Sequence, residues 1–323
     1  MTRTCHDQEG TRSSHPHRPR GWLHIVAIGG LLLTGLVSAD RSTSIRTILL
    51  LQSAEMPRYE KVATAFRRRI TAQCARQSPC PEITTATVGE QEDDVISTVN
   101  LIVAVGHKAA RLARSRYPRH VQLHVMVSRT GYLNRPSPSR LSAIFLEQPP
   151  IRLLKFSRYL LPDHRRIGIL LSSHTHWRSE LEKADMPHDD LDLAFRTLES
   201  GREAGRAIRR MRPQIDVLLA LPDPAIYNRN TLGTILLSTF RNGIPVVGFS
   251  QGMVKSGAVA ALFSTPTTIG EEAADRALRI LAGAPPMLRY PRRYETAVNR
   301  RVAAAMHLEL PSDREIARWS DAP

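Results

Sequence analysis

Short apolar runs alternate with amphipathic stretches along most of the chain. Residues 48–51 form a continuous apolar run, which is typical of a parallel strand covered on both faces. Residues 58–74 carry Val62, Phe66 and Ile70 on one stripe, which predicts a helix. The same pattern predicts further strands at 83–88, 101–105, 123–127 and 143–146, and a helix at 107–117.

A second round of this alternation follows the sequence Glu-Gln-Pro-Pro at 147–150, which interrupts the pattern. It predicts helices at 151–161, 201–211, 228–240, 268–281 and 299–306, and strands at 167–171, 193–198, 217–221, 245–249 and 258–263. Strands that alternate with helices of about 10–15 residues indicate βαβ units and a parallel sheet. Two such rounds predict an α/β protein with two doubly wound, Rossmann-like lobes joined by a hinge.

Candidate ligand residues lie where the predicted strands end. In a doubly wound sheet, ligands bind beyond the carboxyl ends of the strands, and two facing lobes make a cleft that can close. The candidates are Gln52, Ser53, Gly106, His107, Ser128 and Arg129 in the first lobe, and Ser172, Ser173, Asp223 and Ser250 in the second.

Four of these positions suggest a particular ligand chemistry. Gly106 and His107 stand between a strand and a helix N-terminus, where a carboxylate would accept backbone N–H bonds. Arg129 could pair with a carboxylate through both guanidinium nitrogens, and Asp223 could hold an ammonium group. The set suits a small polar ligand, either amino-acid-like or anionic. The simpler alternative is that His107 only caps its helix and Asp223 only shapes its turn.

The most specific sequence blocks lie between 216 and 301. They read LPDP, IPVVGFS, GAVAALFSTP, IGEEAADRALRILAG and NRRVA, and the first lobe adds AVGHKAA at 104–110. These blocks closely resemble the ABC-transporter substrate-binding protein family, which is related to tryptophan-type and other aromatic amino-acid binders. The resemblance implies the type I periplasmic binding fold.

The resemblance also implies domain boundaries and a function. Lobe 1 would comprise 45–147 plus 264–284, and lobe 2 would comprise 148–263 plus 285–320. The protein would close around a small molecule without catalysing a reaction and without a cofactor. We expect a monomer whose partner is an inner-membrane ABC permease. The alternative is a ligand-sensing subunit of a membrane sensor or outer-membrane system.

The N-terminus predicts export. Arg3, Arg12, Arg18 and Arg20 precede an apolar run at 22–37, and Val-Ser-Ala at 37–39 fits a cleavage site. The run is shorter than the roughly 20 residues that a membrane span needs. We therefore expect residues 1–39 to be a signal peptide and the protein to be periplasmic. An uncleaved N-terminal anchor is the alternative.

The predicted periplasmic location bears on the oxidation state of the cysteines. Cys5 lies in the removable segment, which leaves Cys74 and Cys80 as an even pair in an oxidising environment. They predict a disulfide, which would add little stability because it closes so short a loop.

The net charge of +15 and the pI near 10.6 raise the question of nucleic-acid binding. Basic clusters such as 67–69 also carry apolar residues at core spacing, which favours a solvated arginine-rich surface. Aromatic residues make up only 5% of the chain, which argues against a stacking platform for single strands. No nucleic-acid partner is expected.

Two histidines, His174 and His176, raise the question of a metal site. Residues at i and i+2 do not share a helix face, and a site would also need Glu180 and His188 to fold beside them. A polar loop is the favoured interpretation, and no metal is predicted.

The sequence Gly-Phe-Ser-Gln-Gly at 248–252 matches the nucleophile elbow of serine hydrolases, with Asp275 and His307 following in the right order. However, Lys-Ser-Gly at 255–257 interrupts the helix that the elbow should open, and Asp275 lies in mid-helix. A transcriptional repressor of the same fold would carry a helix-turn-helix head where this chain has an export-like segment. Solute binding is therefore favoured over both.

Overall fold

The computed structural model describes residues 46–74, 79–89, 96, 98–132, 139–183 and 191–321. They all fall within one compact unit, Thr43–Pro323. The predicted export segment lies outside the described residues. In the part of the chain described, no helix is both long enough and apolar enough to cross a membrane.

The first sheet collects the strands of the first half and one later strand. They are β1 (Thr47–Gln52), β2 (Glu82–Thr87), β3 (Leu101–Val105), β4 (Gln122–Val127), β5 (Leu141–Phe145) and β11 (Leu288–Arg289). Their order is β11-β5-β4-β3-β1-β2, and every neighbouring pair is parallel.

The second sheet repeats the plan. Its strands are β6 (Arg166–Ser172), β7 (Asp192–Leu198), β8 (Val217–Leu219), β9 (Val246–Gly248), β10 (Ala260–Phe263) and β12 (Glu295–Val298). Their order is β12-β10-β9-β8-β6-β7, with only β12 antiparallel to its neighbour.

Helices cover both sheets. They are α1 (Pro57–Cys74), α2 (His107–Arg116), α3 (Pro150–Leu160), α4 (Trp177–Glu182), α5 (Ala204–Met211), α6 (Leu232–Arg241), α7 (Gln251–Lys255), α8 (Pro266–Leu281), α9 (Arg300–Ala305) and α10 (Asp313–Asp321). Two α/β sheets of mostly parallel strands with flanking helices confirm the predicted two-lobed, doubly wound fold.

The core shows why the apolar run at 48–51 has no polar positions. Ile48 and Leu50 pack in a cluster with α1 and α8, whereas Leu49 and Leu51 pack in a cluster with α2. All four side chains are fully buried because successive residues of a strand point to opposite faces and both faces are covered. The second sheet is likewise covered by two clusters.

The chain passes between the sheets three times. It leaves the first sheet after β5, returns after β10 to place α8 against α1, and leaves again between β11 and β12. Residues 288–289 therefore pair in the first sheet, although the resemblance suggested a return to lobe 2 from 285. The domain boundaries given above stay a prediction.

Some elements differ from the sequence pattern. The helix predicted at 228–240 begins only at Leu232, because residues 224–231 form turns in which the Thr231 hydroxyl donates to the carbonyl of Ile226 at 2.6 Å. The polar stretch after Ser172 contains the short helix α4, whose Trp177 is buried in the second lobe. The tail contains α10 as well as the predicted helix near 299–306.

The predicted disulfide is not formed in this structure. Cys74 is a buried free thiol and Cys80 an exposed one. Burial, together with a hydrogen bond to Cys80, raises the pKa of Cys74 to about 11. The two thiols are therefore neighbours, and their oxidation to a disulfide stays a prediction.

Candidate ligand-binding cleft

A cleft of about 700 Å³ lies between the two sheets, at the carboxyl ends of their strands. This is where ligands bind in parallel α/β sheets, because several strand ends and helix starts converge there. Its lining comes from both lobes and from the segments that join them: His107, Ser128, Thr130, Leu146, Glu147, Gln148, Ser172, His174, Thr175, Pro222, Asp223, Pro224, Ala225, Tyr227, Phe249, Ser250, Gln251, Phe263, Ser264, Thr265 and Pro266.

Half of the candidates named from the sequence line this cleft. They are His107, Ser128, Ser172, Asp223 and Ser250. The remaining five, Gln52, Ser53, Gly106, Arg129 and Ser173, are not among the residues that line it. Which of them contact a ligand stays a prediction.

Ser53 and Gly106 shape the cleft wall from behind. The Ser53 hydroxyl donates to the carbonyl of Val105 at 2.8 Å and accepts from the N–H of Ala109 at 3.0 Å, so it joins the end of β1 to the start of α2. Gly106 has φ of 90°, and a Cβ there would lie 2.6 Å from the Ser53 Oγ. Only glycine fits a backbone of this kind without strain.

His107 begins α2 and faces the cleft. Its Nε2 accepts a hydrogen bond from the N–H of Ser128 at 3.3 Å, which requires that nitrogen to be unprotonated. Burial, with the charge of Arg111 nearby, lowers the pKa of His107 below its ordinary value. The cleft therefore receives a neutral imidazole rather than a cation at this position.

Asp223 is a buried polar group of the second lobe that backbone hydrogen bonds hold in place. Its side chain is 2% exposed, and its two oxygens accept from the N–H groups of Ser172 at 2.6 Å and Ala225 at 3.0 Å. The Trp177 indole donates to the carbonyl of Pro222 at 2.8 Å and fixes the preceding residue. Each carboxylate oxygen retains a further lone pair for a ligand, so the turn-shaping and ligand-holding interpretations are compatible.

Aromatic side chains form part of the same wall. Tyr227 and Phe249 meet edge to face with ring centroids 5.9 Å apart, and Phe263 also lines the cleft. The sequence reading missed all three, because an aromatic residue at a strand end looks the same in sequence as a core residue.

Glu147 adds a second carboxylate where the chain first leaves lobe 1. It is 7% exposed and accepts a hydrogen bond from the N–H of Arg129 at 3.2 Å. Burial raises the pKa of Glu147, although the Ser128 side chain and two backbone hydrogen bonds oppose the shift. No lysine or arginine is found among the described residues that line the cleft.

Arg129 contacts the opposite lobe rather than lining the cleft. Its guanidinium lies 3.5 Å from Glu180 of α4 and 4.9 Å from the centroid of the Tyr290 ring. Burial tends to raise the pKa of Glu180, but hydrogen bonds from His176 and Tyr290 and the charge of Arg129 outweigh it, so the pKa is lowered. This interlobe ion pair engages one terminal nitrogen of the guanidinium that was expected to receive a ligand carboxylate, whereas the buried Nε has no hydrogen-bond partner in the described part of the chain.

Gln148 connects all three segments that join the lobes. Its amide nitrogen donates to the Ser264 hydroxyl at 2.6 Å and to the carbonyl of Arg293 at 3.1 Å. Its amide oxygen accepts a hydrogen bond from Arg152. Since residues 148, 264 and 293 lie on the first, second and third crossings, Gln148 holds the three crossings together. In sequence it is only a polar residue before two prolines.

Among the described residues, neither the serine-hydrolase site nor the metal site considered above is assembled. Ser250 caps α7, where its side chain accepts from the N–H of Met253 at 3.3 Å. Asp275 instead accepts from Arg69 and Gln73, and the described residues show no hydrogen bond from Ser250 to Asp275 or His307. His176 lies 3.3 Å from Glu180, His188 is outside the described residues, and no group of three metal-ligating side chains gathers in the described part.

These features define the class of protein: a two-lobed α/β binding fold of the type I periplasmic kind, with a cleft at the hinge. Residues 147–303 match the family model described as ABC transporter substrate binding protein, so the resemblance to that family is confirmed. Among curated protein sequences, none matches the chain.

Solved structures share the fold over most of the chain. The ligand-free, open structure of CD0873, a substrate binding protein with adhesive properties from Clostridium difficile, is 18% identical and covers 83% of this chain and 97% of its own, with a TM-score of 0.65. An ABC domain in complex with L-Trp from Streptococcus pneumonia is 15% identical, covers 86% and 99%, and has a TM-score of 0.56. AraP, an arabinose binding protein from Geobacillus stearothermophilus, is 9% identical, covers 81% and 99%, and has a TM-score of 0.53.

Proposed function

We propose that this protein is an exported solute-binding protein that closes on an amino-acid-like ligand and presents it to an inner-membrane ABC permease. The observation that carries the proposal is the interlobe cleft, which has a fixed carboxylate and an aromatic wall but no lysine or arginine among its described lining residues.

Charge complementarity favours a ligand with an ammonium group. Asp223 is held by two backbone N–H groups and buried, so it meets a ligand cation with little reorganisation. The aromatic side chains of Tyr227, Phe249 and Phe263 line the same cleft, so they suit a ligand that carries a cation and apolar surface together. A purely anionic ligand is disfavoured because Arg129 pairs with Glu180 and His107 is neutral.

The place that we propose for the ligand carboxylate is at the start of α2. The N-terminus of α2 carries a partial positive charge, and Ser128 lies beside it. An amino acid would then join the lobes, with its ammonium group on the second lobe and its carboxylate on the first. Such a ligand stabilises the closed form because it contacts both lobes only there.

A matched set of probes tests this arrangement. L-tryptophan carries both charges, tryptamine lacks the carboxylate, and indole-3-acetate lacks the ammonium group. In a thermal-shift assay, a probe at about 100 times its Kd adds about 2.7 kcal/mol to the free energy of unfolding. We expect L-tryptophan to stabilise most and indole-3-acetate least. Stabilisation by indole-3-acetate or sulfate alone would contradict the proposed ligand class.

The Asp223→Asn variant tests the carboxylate directly. Loss of a charge-assisted hydrogen bond of about 1.5–3 kcal/mol predicts roughly 10- to 150-fold weaker binding of L-tryptophan in titration calorimetry. Asp192→Asn is the matched control, because Asp192 is exposed at the start of β7. Circular dichroism of each variant confirms that it is folded before affinities are compared. Equal affinities for the two variants would remove Asp223 from the site.

A further inference from the structure

Helices α5 and α6 of the second lobe pack side by side and leave one face exposed. Ala207 and Ile208 of α5 share a buried cluster with Ile235 of α6. On the outside, Leu237 and Phe240 of α6 are 49% and 45% exposed, the highest values for large apolar side chains among the residues described. Because they are three positions apart on a helix, they lie on the same face.

Four exposed arginines lie on the same two helices. Arg206, Arg209 and Arg210 of α5 and Arg241 of α6 are all exposed. A Cβ on Gly205 would lie 3.8 Å from the Arg209 Nη1 and 4.0 Å from the Ser238 Oγ, so the Arg209 guanidinium lies at the seam between the helices. These four arginines with Leu237 and Phe240 are called the α5–α6 face.

The arginines of this face differ from others in the protein. Arg69 pairs with Asp275 at 2.7 Å, and Arg293 pairs with Glu271 at 2.7 Å. In contrast, the four arginines of the α5–α6 face form no ion pair within the described part of the chain. Their guanidinium groups are therefore available to an anionic group outside the protein.

We propose that the α5–α6 face docks the protein on the surface of an anionic phospholipid bilayer. Exposed apolar side chains next to unpaired arginines on surface helices are the pattern of interfacial membrane binding, with leucine and phenylalanine entering the headgroup boundary and arginine meeting phosphates. The predicted export segment would bring the protein to such a surface. This surface role is separate from the cleft and does not depend on which solute is bound.

Vesicle sedimentation tests the proposal on the chain from residue 40, which is what the predicted cleavage leaves. Vesicles of phosphatidylcholine alone are compared with vesicles in which a third of the lipid is phosphatidylglycerol. We expect binding only to the anionic vesicles, and its loss at high salt because surface charges are screened. Binding to neither kind of vesicle, or equal binding to both, overturns the proposal. The proposal is also overturned if the α5–α6 face binds an acidic protein but no vesicle.

Paired variants locate the contact. Arg209→Ser with Arg210→Ser should weaken binding roughly 30-fold, since each arginine near an anionic surface contributes about 1 kcal/mol. Leu237→Ser with Phe240→Ser should also weaken it while leaving the salt dependence in place. The charge-matched control, Arg58→Ser with Lys61→Ser, removes two exposed cations from α1 of the other lobe. An equal loss in this control would assign the binding to overall charge and refute a specific face.

Discussion

Substitution of Gly106 by alanine should strongly destabilise the first lobe at the edge of the cleft. Gly106 has φ of 90° and ψ of 171°, a region that residues with a Cβ occupy at a cost of about 1–3 kcal/mol. The new Cβ would also lie 2.6 Å from the Ser53 Oγ and 2.7 Å from the Tyr59 hydroxyl. Ser53 cannot turn away without losing its bonds to Val105 and Ala109.

The size of the effect follows from adding the two costs. Overpacking at a site that cannot relax costs about 1–3 kcal/mol, so Gly106→Ala should lower the free energy of unfolding by about 2–6 kcal/mol in total. Gly283→Ala is the matched control, because Gly283 has φ of 91° and its Cβ would meet nothing within 4 Å. The control should lose only the conformational part, about 1–3 kcal/mol.

Equilibrium unfolding in guanidinium chloride measures both variants, since the unfolding free energy extrapolates linearly to water. We expect the midpoint of Gly106→Ala to fall well below that of Gly283→Ala. If the two variants unfold at the same denaturant concentration, the contacts with Ser53 and Tyr59 contribute nothing and the steric reasoning is wrong.

Three further predictions concern titration, capping and thiols. Burial lowers the pKa of His124 to about 3, so the unfolded chain binds a proton that the folded one does not. The unfolding free energy should therefore fall by up to about 1.4 kcal/mol per pH unit between about pH 6.5 and 3, and His124→Gln should reduce this slope in acid titrations. Thr265→Ala removes the capping box of α8 and should cost about 1 kcal/mol in chemical unfolding, whereas Thr267→Ala in the same turn should cost little. With maleimide at neutral pH, exposed Cys80 should react quickly and Cys74 slowly, and oxidation should protect both if the predicted disulfide forms.

Three serines show why cleft-lining residues at strand ends could be predicted from the sequence. A buried parallel strand needs a continuous apolar run, so the polar residues that follow it, such as Ser128, Ser172 and Ser250, marked the rim of the cleft. All three line it. This local pattern predicts the parallel sheet. It also predicts the edge at which a ligand binds, because ligands bind at the carboxyl ends of parallel strands.

For two other candidates the structure shows protein partners that the sequence does not reveal, and their contact with a ligand stays a prediction. Arg129 was expected to meet a ligand carboxylate, but Glu180 lies opposite it on the other lobe. Ser53 was expected to face the ligand, but it bonds to Val105 and Ala109 behind the cleft wall. Each partner lies far away in the sequence, so no local pattern could reveal the competition.

The sequence by itself determined two doubly wound lobes, the cleft at their carboxyl edges and the resemblance to substrate-binding proteins, because apolar periodicity and family blocks are properties of neighbouring residues. Only the tertiary structure decided that Gln148 connects the three crossings, that Tyr227 and Phe249 wall the cleft, and that its described lining carries no lysine or arginine. These features arise where distant segments meet, and packing between lobes selects among side chains that look equivalent along the chain.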